Sequence, residues 1–143
     1  MITKTESEVS PLTEAEVLAM PAGDYMNAQQ LEFFRLLLQR MRDELLENGQ
    51  STIAHLQETE ATPDEADRAT QEEEHVLEQR IRDRERKQLH KIDSALDRIA
   101  NGTYGYCEVS GEPIGLRRLM ARPTATLSIE EQERHERAER LFR

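Results

Sequence analysis

The sequence predicts a mainly α-helical protein: a long antiparallel coiled-coil hairpin over residues 27–100, attached to a small globular domain that carries a knuckled segment and a C-terminal helix. Three observations predict it. Apolar residues recur at alternating steps of three and four through Leu31, Phe34, Leu38, Met41 and Leu45, and a second seam runs through Leu77, Ile81, Leu89, Ile92, Leu96 and Ile99. Charged residues make up 34% of the chain and aromatics 4%, with no tryptophan, which leaves little material for a thick core and favours an elongated body. Finally, Gly102, Gly105, Gly111, Gly115, Pro113 and Pro123 crowd into one stretch after the second seam, where a long helix cannot continue.

Each element follows in order. Residues 1–26 form an N-terminal segment of the globular domain; Pro11-Leu12-Thr13-Glu14 reads as a cap leading into a short helix that ends near Met20, before Pro21-Ala22-Gly23-Asp24. The first long helix starts near Asn27. Beyond Leu45 its seam turns polar, and reaching Ile53 and Leu56 requires a phase shift through Gly49, so the outer half should pack less well than the base. Thr62-Pro63-Asp64-Glu65 reads as the start of the second helix, with a Thr cap and Pro at the first helical position, and Asn101-Gly102 as its stop. The tip then lies near residues 59–69. Folding the chain back about residue 63 places Leu45 near Ile81, and Leu31 and Phe34 near Ile92 and Leu96. Residues 101–127 suit tight knuckles and short strands, and residues 128–143 a charged helix with Glu133/Arg137, Glu136/Arg140 and Glu139/Arg143 at i,i+4.

Charge narrows the function. Nineteen basic residues against twenty-nine acidic ones give a net charge of −10, which opposes direct binding to a DNA backbone; an action on nucleic acid would pass through another protein. Acids crowd the hairpin turn (Glu58, Glu60, Asp64, Glu65, Asp67, Glu72), and bases follow at Arg80, Arg82, Arg84, Arg86, Lys87 and Lys91. Helix-dipole preference explains most of this pattern, but the repulsion among so many carboxylates at one turn points to a use for Asp64 and Asp67. No stretch is apolar enough to span a membrane and the N-terminus lacks a hydrophobic signal core, so a cytoplasmic protein is expected.

Cys107 is the one cysteine, and Cys107, Ser110, Ser128 and Glu131 repeat the spacing of a four-thiolate zinc ribbon with three thiolates replaced. Spacing alone is also met by chance, since Ser and Glu are common; without metal the knuckles would be held by apolar packing of Val109, Ile114, Leu119, Leu127 and Ile129 and by hydrogen bonds of the Ser and Glu side chains. Neither a nucleophilic triad nor a phosphate loop is suggested, and His55, His75, His90 and His135 share no ligand spacing, so no enzyme is expected.

The residues around those slots carry a resemblance. Tyr104-Gly105-Tyr106-Cys107-Glu108, Ile114-Gly115-Leu116-Arg117-Arg118-Leu119 and Ala121-Arg122-Pro123-Thr124-Ala125, with Asp64-Glu65-Ala66-Asp67-Arg68-Ala69 at the turn and Arg82-Asp83-Arg84-Glu85-Arg86-Lys87 on the second helix, closely resemble the DksA/TraR family of bacterial transcription factors over residues 27–131. The likeness is strongest to its DksA branch, and it departs at the metal site, where members usually have four cysteines. The resemblance implies a zinc-independent variant without a cofactor, acting as a monomer that binds RNA polymerase and not DNA. It further implies an arm inserted into the secondary channel, with Asp64, Asp67 and Ala69 as the functional tip, destabilising open promoter complexes. The alarmone ppGpp would act as effector at the polymerase interface facing Lys91 and Arg122, repressing ribosomal RNA promoters and activating some biosynthetic ones in the stringent response. Gln132 and Gln88 stand where the family's model member has Lys and Leu, which separates the alarmone response from the tip function. A rival reading is a coiled-coil adaptor or chaperone-like binder with another client, which would tolerate Asp67→Asn and Ala69→Thr.

Overall fold

The structure, a computed structural model, describes residues 12–59 and 67–142. It contains α1 (Glu14–Leu18), a 3₁₀ turn (Ala22–Asp24), α2 (Ala28–Thr59), α3 (Asp67–Asn101), α4 (Leu116–Ala121) and α5 (Ile129–Leu141). The expected helix start at Thr62-Pro63 lies outside the described residues.

The caps explain where the helices begin and end. Thr13 Oγ1 accepts from Glu16 N at 3.2 Å and opens α1. Asn27 Oδ1 accepts from Gln30 N at 2.8 Å, while the fully buried Gln30 reaches back so that its Oε1 accepts from Met26 N at 2.7 Å. This reciprocal pair fixes the entry to α2 and holds Met26 at φ 58°, a left-handed conformation costly for a non-glycine residue. At the far end of α3, Gly102 takes φ 79°, with Thr103 N donating to Arg98 O at 2.9 Å and Gly102 N to Ile99 O at 3.3 Å. These two bonds satisfy carbonyls that a helix end would otherwise leave unpaired.

The helices α2 and α3 pack as an antiparallel pair, and the core sits at their base. Phe34, Leu38, Ile92 and Ala95 are buried together with Tyr104, Cys107, Ile114 and Leu119 from the segment after α3. Arm and globular domain therefore share one core. Leu31 and Leu96 pack against the same cluster, and Leu45 and Ile81 line one cleft. The register differs, however. Arg42 Nε bonds Asp93 Oδ1 at 3.1 Å and Gly49 lies against Glu85, whereas a fold symmetric about residue 63 would face them with Arg84 and Leu77. The displacement along α3 is roughly two helical turns.

Three further expectations need correction. Short strands were expected over residues 101–127, but the segment holds an isolated bridge between Tyr106 and Pro113 and the helix α4. Gly115 at φ 102° turns the chain into α4, and Leu119 buries its inner face. Second, among the described residues α5 shows ion pairs other than Glu133/Arg137 and Glu136/Arg140: Glu131 with Arg134 at 3.4 Å and His135 with Glu139 at 3.1 Å, while Arg137 Nε donates to the Glu133 carbonyl; Arg143 of the expected Glu139/Arg143 pair lies outside the described residues. Third, Val109 and Ile129, natural candidates for knuckle packing, are 67% and 57% exposed.

Candidate functional site

The knuckle is built by backbone bonds that fold residues 104–128 back on themselves. Cys107 N donates to Glu112 O at 2.8 Å, Gly111 N to Cys107 O at 2.9 Å, Ile114 N to Gly105 O at 2.8 Å and Glu108 N to Thr126 O at 2.9 Å. Two tyrosines tie this fold to its surroundings. Tyr104, 1% exposed and stacked obliquely on Phe34 at 5.5 Å, donates its hydroxyl to Pro123 O at 2.7 Å, and burial pushes that hydroxyl's pKa up, keeping it a donor. Tyr25 donates to Gly105 O at 2.5 Å and accepts from Gly115 N at 3.0 Å, so one hydroxyl bridges the two sides of the knuckle. No spacing pattern in the sequence singles out Tyr25, because its partners are backbone atoms about 80–90 positions away.

Cys107, Ser110 and Ser128 converge, and Glu131 follows one turn into α5. Burial is the largest single influence on the Cys107 thiol and raises its pKa. Hydrogen bonds from the Ser110 hydroxyl and from the backbone of Ser110, Ser128 and Val109 together outweigh it and bring the thiol down to about 6. The group is covered, at 3% exposure, and belongs to the buried cluster at the base of the arm. The remaining slots are already engaged. Ser110 Oγ accepts from Glu112 N and Ser128 Oγ caps α5 by accepting from Glu131 N, both at 3.3 Å, while the Glu131 carboxylate faces Arg134. One thiolate, two hydroxyls and an ion-paired carboxylate do not fit zinc, which favours thiolate and imidazole donors. Among the described residues no group of three or more His, Cys, Asp or Glu could hold a metal ion.

A second feature lies where the arm meets the globular domain. Glu44, Asn48, Gln88, Lys91, Ile92 and Thr124 line an open cleft of about 430 Å³. The exposed Lys91 projects from α3 into its lining. Arg122, the C-terminal cap of α4, is two residues from Thr124 but not among the lining residues, and Gln132 on α5 donates to Glu136 at 3.0 Å. Lys91 thus lines the cleft together with the acidic Glu44, and Arg122 reaches it only through its chain neighbour Thr124.

The arm's distal end is the third feature. Asp64 lies outside the described residues, and Asp67 is the first residue of α3. Ala69 is exposed and lines a groove of about 520 Å³ with Glu72, Glu73, Val76, Leu77 and Arg80.

Family profiles match both halves of this architecture: the N-terminal domain of the DnaK suppressor protein DksA over residues 30–99, and the prokaryotic dksA/traR C4-type zinc finger over residues 102–137. The RNA polymerase-binding transcription factor DksA of Caulobacter vibrioides is 56% identical over 120 residues, which cover 83% of this chain and 84% of the relative. The chain belongs to the DksA/TraR family. The factor of the same description from Escherichia coli K12 is 48% identical over 111 residues, covering 77% of this chain and 74% of that protein. Among solved structures, transcription factor DksA2 from Pseudomonas aeruginosa superposes with a TM-score of 0.81 at 50% identity, covering 90% of this chain and 99% of that one. The coiled-coil hairpin on a knuckled globular base is therefore the DksA fold. Against the C4 profile, this family member keeps the knuckle's shape with one cysteine in its four slots.

Proposed function

We propose that this DksA/TraR protein binds bacterial RNA polymerase and regulates transcription initiation without catalysis of its own. The observation that carries the reading is the arm: α2 and α3, clamped at their base into one core, carry an exposed acid-rich end far from the globular domain. At 1.5 Å per residue, the 32 residues of α2 alone reach on the order of 48 Å. Such a rod suits a narrow channel, and its relatives are named for binding RNA polymerase.

In this reading the arm enters the secondary channel and sets Asp64, Asp67 and Ala69 near the catalytic centre. Carboxylates there meet polar groups and cations of the active centre, and the small side chain of Ala69 permits close backbone approach. Those contacts destabilise open promoter complexes, repressing ribosomal RNA promoters and favouring some biosynthetic ones. Lys91 and Arg122 present cations to the phosphates of ppGpp across the polymerase interface. Two cations, one of them beside Glu44, make a poor site alone, so the nucleotide binds only in the complex. The chain acts as a cytoplasmic monomer and does not bind DNA directly, in keeping with its charge of −10. Among the described residues no helix is long and apolar enough to cross a membrane.

The knuckle works without zinc, because the cross-ties of Tyr25 and Tyr104 and the cap at Ser128 supply the constraint that metal gives a four-cysteine ribbon. Pull-down of core polymerase by the full chain tests the reading. Retention that a channel-blocking competitor abolishes is expected, and an adaptor with another client would leave polymerase unbound.

A further inference from the structure

The middle of the arm is built differently from its base. Gly49 is buried in α2, and the Glu85 carboxylate of α3 fills its notch so closely that a Cβ there would lie 1.9 Å from Glu85 Oε2. Three residues on, the Thr52 hydroxyl donates to the Asn48 carbonyl at 2.8 Å, a back-bond that competes with the helix ladder and favours bending. An open cleft of about 230 Å³ separates the helices here, lined in part by Asn48, Gly49, Thr52, Arg84, Glu85 and Gln88. Polar groups thus interrupt the seam in one layer between Leu45 and Ile81, which complete the lining, at the position where the heptad phase of α2 slips.

Packing changes across that layer. On the base side Phe34, Leu38, Ile92 and Ala95 are 0–4% exposed. Between that cluster and the layer, Met41 and Leu45 are half-buried and pack against it, whereas on the tip side Ile53, Leu56 and Ile81 are half-buried without joining it, and Val76 and Leu77 are 52% and 45% exposed. Helical stability in proteins comes mainly from such tertiary packing, so the two halves differ in what holds them closed.

We infer that the arm is jointed at the Gly49–Glu85 layer: the distal half bends and opens as a unit while the basal half stays closed. A glycine removes about 1 kcal/mol of helix preference relative to alanine, and here it also removes the side chain that would knit the seam. The Glu85 carboxylate occupies the notch in place of that side chain, and it swings to solvent when the layer flexes. A joint at this point lets the acid-rich end take an angle set by whatever it enters. Use of the joint inside a polymerase channel rests on the function proposed above, whereas the joint itself is a property of the free chain.

Amide hydrogen exchange on the free full-length chain tests it. Wild type should show a step at the layer, with amides of 50–58 and 70–84 exchanging at least tenfold faster than those of 34–45 and 89–99. The paired substitution Gly49→Ala, Glu85→Ala fills the notch with a methyl group and removes the carboxylate. It should slow the distal amides by about fivefold, the glycine-to-alanine preference expressed as a rate ratio, and leave the basal amides unchanged. Protection that declines smoothly to the tip in wild type overturns the joint, as does a pair variant whose distal amides exchange at the wild-type rate or whose basal amides change equally. If the variant fails to fold, the wild-type profile alone decides. Loss of polymerase binding with the step present would overturn the function and leave the joint.

Discussion

Replacing Tyr25 with Phe removes the hydroxyl that ties Gly105 to Gly115 and keeps the ring that meets Tyr106 edge-on at 5.6 Å. The two lost bonds are unequal. The Gly105 carbonyl still accepts from Ile114 N at 2.8 Å, so it stays satisfied. The half-buried Gly115 N–H loses its partner where the chain turns at φ 102° into α4. One neutral bond of net value about 0.5–1.5 kcal/mol plus part of the penalty for an unsatisfied donor gives a loss of about 1–2 kcal/mol. At roughly 4 °C per kcal/mol for a chain of this size, the melting temperature should fall by about 4–8 °C. The assay is thermal and urea unfolding followed by circular dichroism, with amide exchange at Gly115 as the local readout. Tyr106→Phe is the control: its 37% exposed ring packs on Tyr25, but its hydroxyl is not part of the bridge, and a change below about 0.5 kcal/mol is expected. If Tyr25→Phe unfolds like wild type, or if the control loses as much, then the hydroxyl bridge does not hold the knuckle.

Other outcomes follow from the same geometry. The purified protein should carry no stoichiometric zinc and melt unchanged in chelator; one retained equivalent, with unfolding on its removal, would contradict the donor-set argument. The Cys107 thiol, with a folded pKa of about 6 below the ordinary 9.0, should ionise with a midpoint near 6 by thiolate absorbance. Because that pKa is depressed on folding, its stabilising contribution is full above pH 9 and is lost as pH falls through 6. The urea midpoint should therefore drop between pH 8 and 5.5 in wild type more than in Cys107→Ser, and equal drops would remove the thiolate from the balance. Lys91→Ala with Arg122→Ala should reduce the ppGpp-dependent increment in promoter inhibition more than the basal effect; proportional losses would assign both to binding or folding.

Much of the fold was legible because it is local. The three-four spacing of Phe34 and Leu38, the Thr13 cap and the Gly102 stop each act within a few residues, and the weak outer seam showed in the phase slip at Gly49. Register was not legible, because a three-four seam repeats every heptad and matches its partner at more than one offset along α3. Ala95 escaped notice because a seam read from large apolar residues passes over the small one that lets the helices close. The density of Gly and Pro after residue 101 suggested strands and concealed α4, whose six residues fit between Gly115 and Pro123. Val109 and Ile129 looked like core by hydropathy, yet the knuckle loop and the first turn of α5 aim them outward. At the candidate site, spacing identified Cys107, Ser110, Ser128 and Glu131, but the groups that tie the knuckle and the arm's entry were hidden: Tyr25 acts on backbone atoms distant in sequence, and the buried Gln30, which caps α2, looks like any polar residue in a helix.

The central claim is that the arm's end acts on a polymerase already bound through the rest of the protein. Open-complex lifetime on a ribosomal RNA promoter, measured with wild type, Asp67→Asn and Ala69→Thr at concentrations giving equal occupancy of polymerase, tests it most directly. Ala69 is exposed and Asp67 opens α3, so each variant should keep its stability within about 0.5 kcal/mol. The account predicts that both variants occupy polymerase as wild type does and leave the open complex at its unregulated lifetime. Full shortening of that lifetime by both variants would contradict it, and so would a loss of activity that merely tracks a loss of binding.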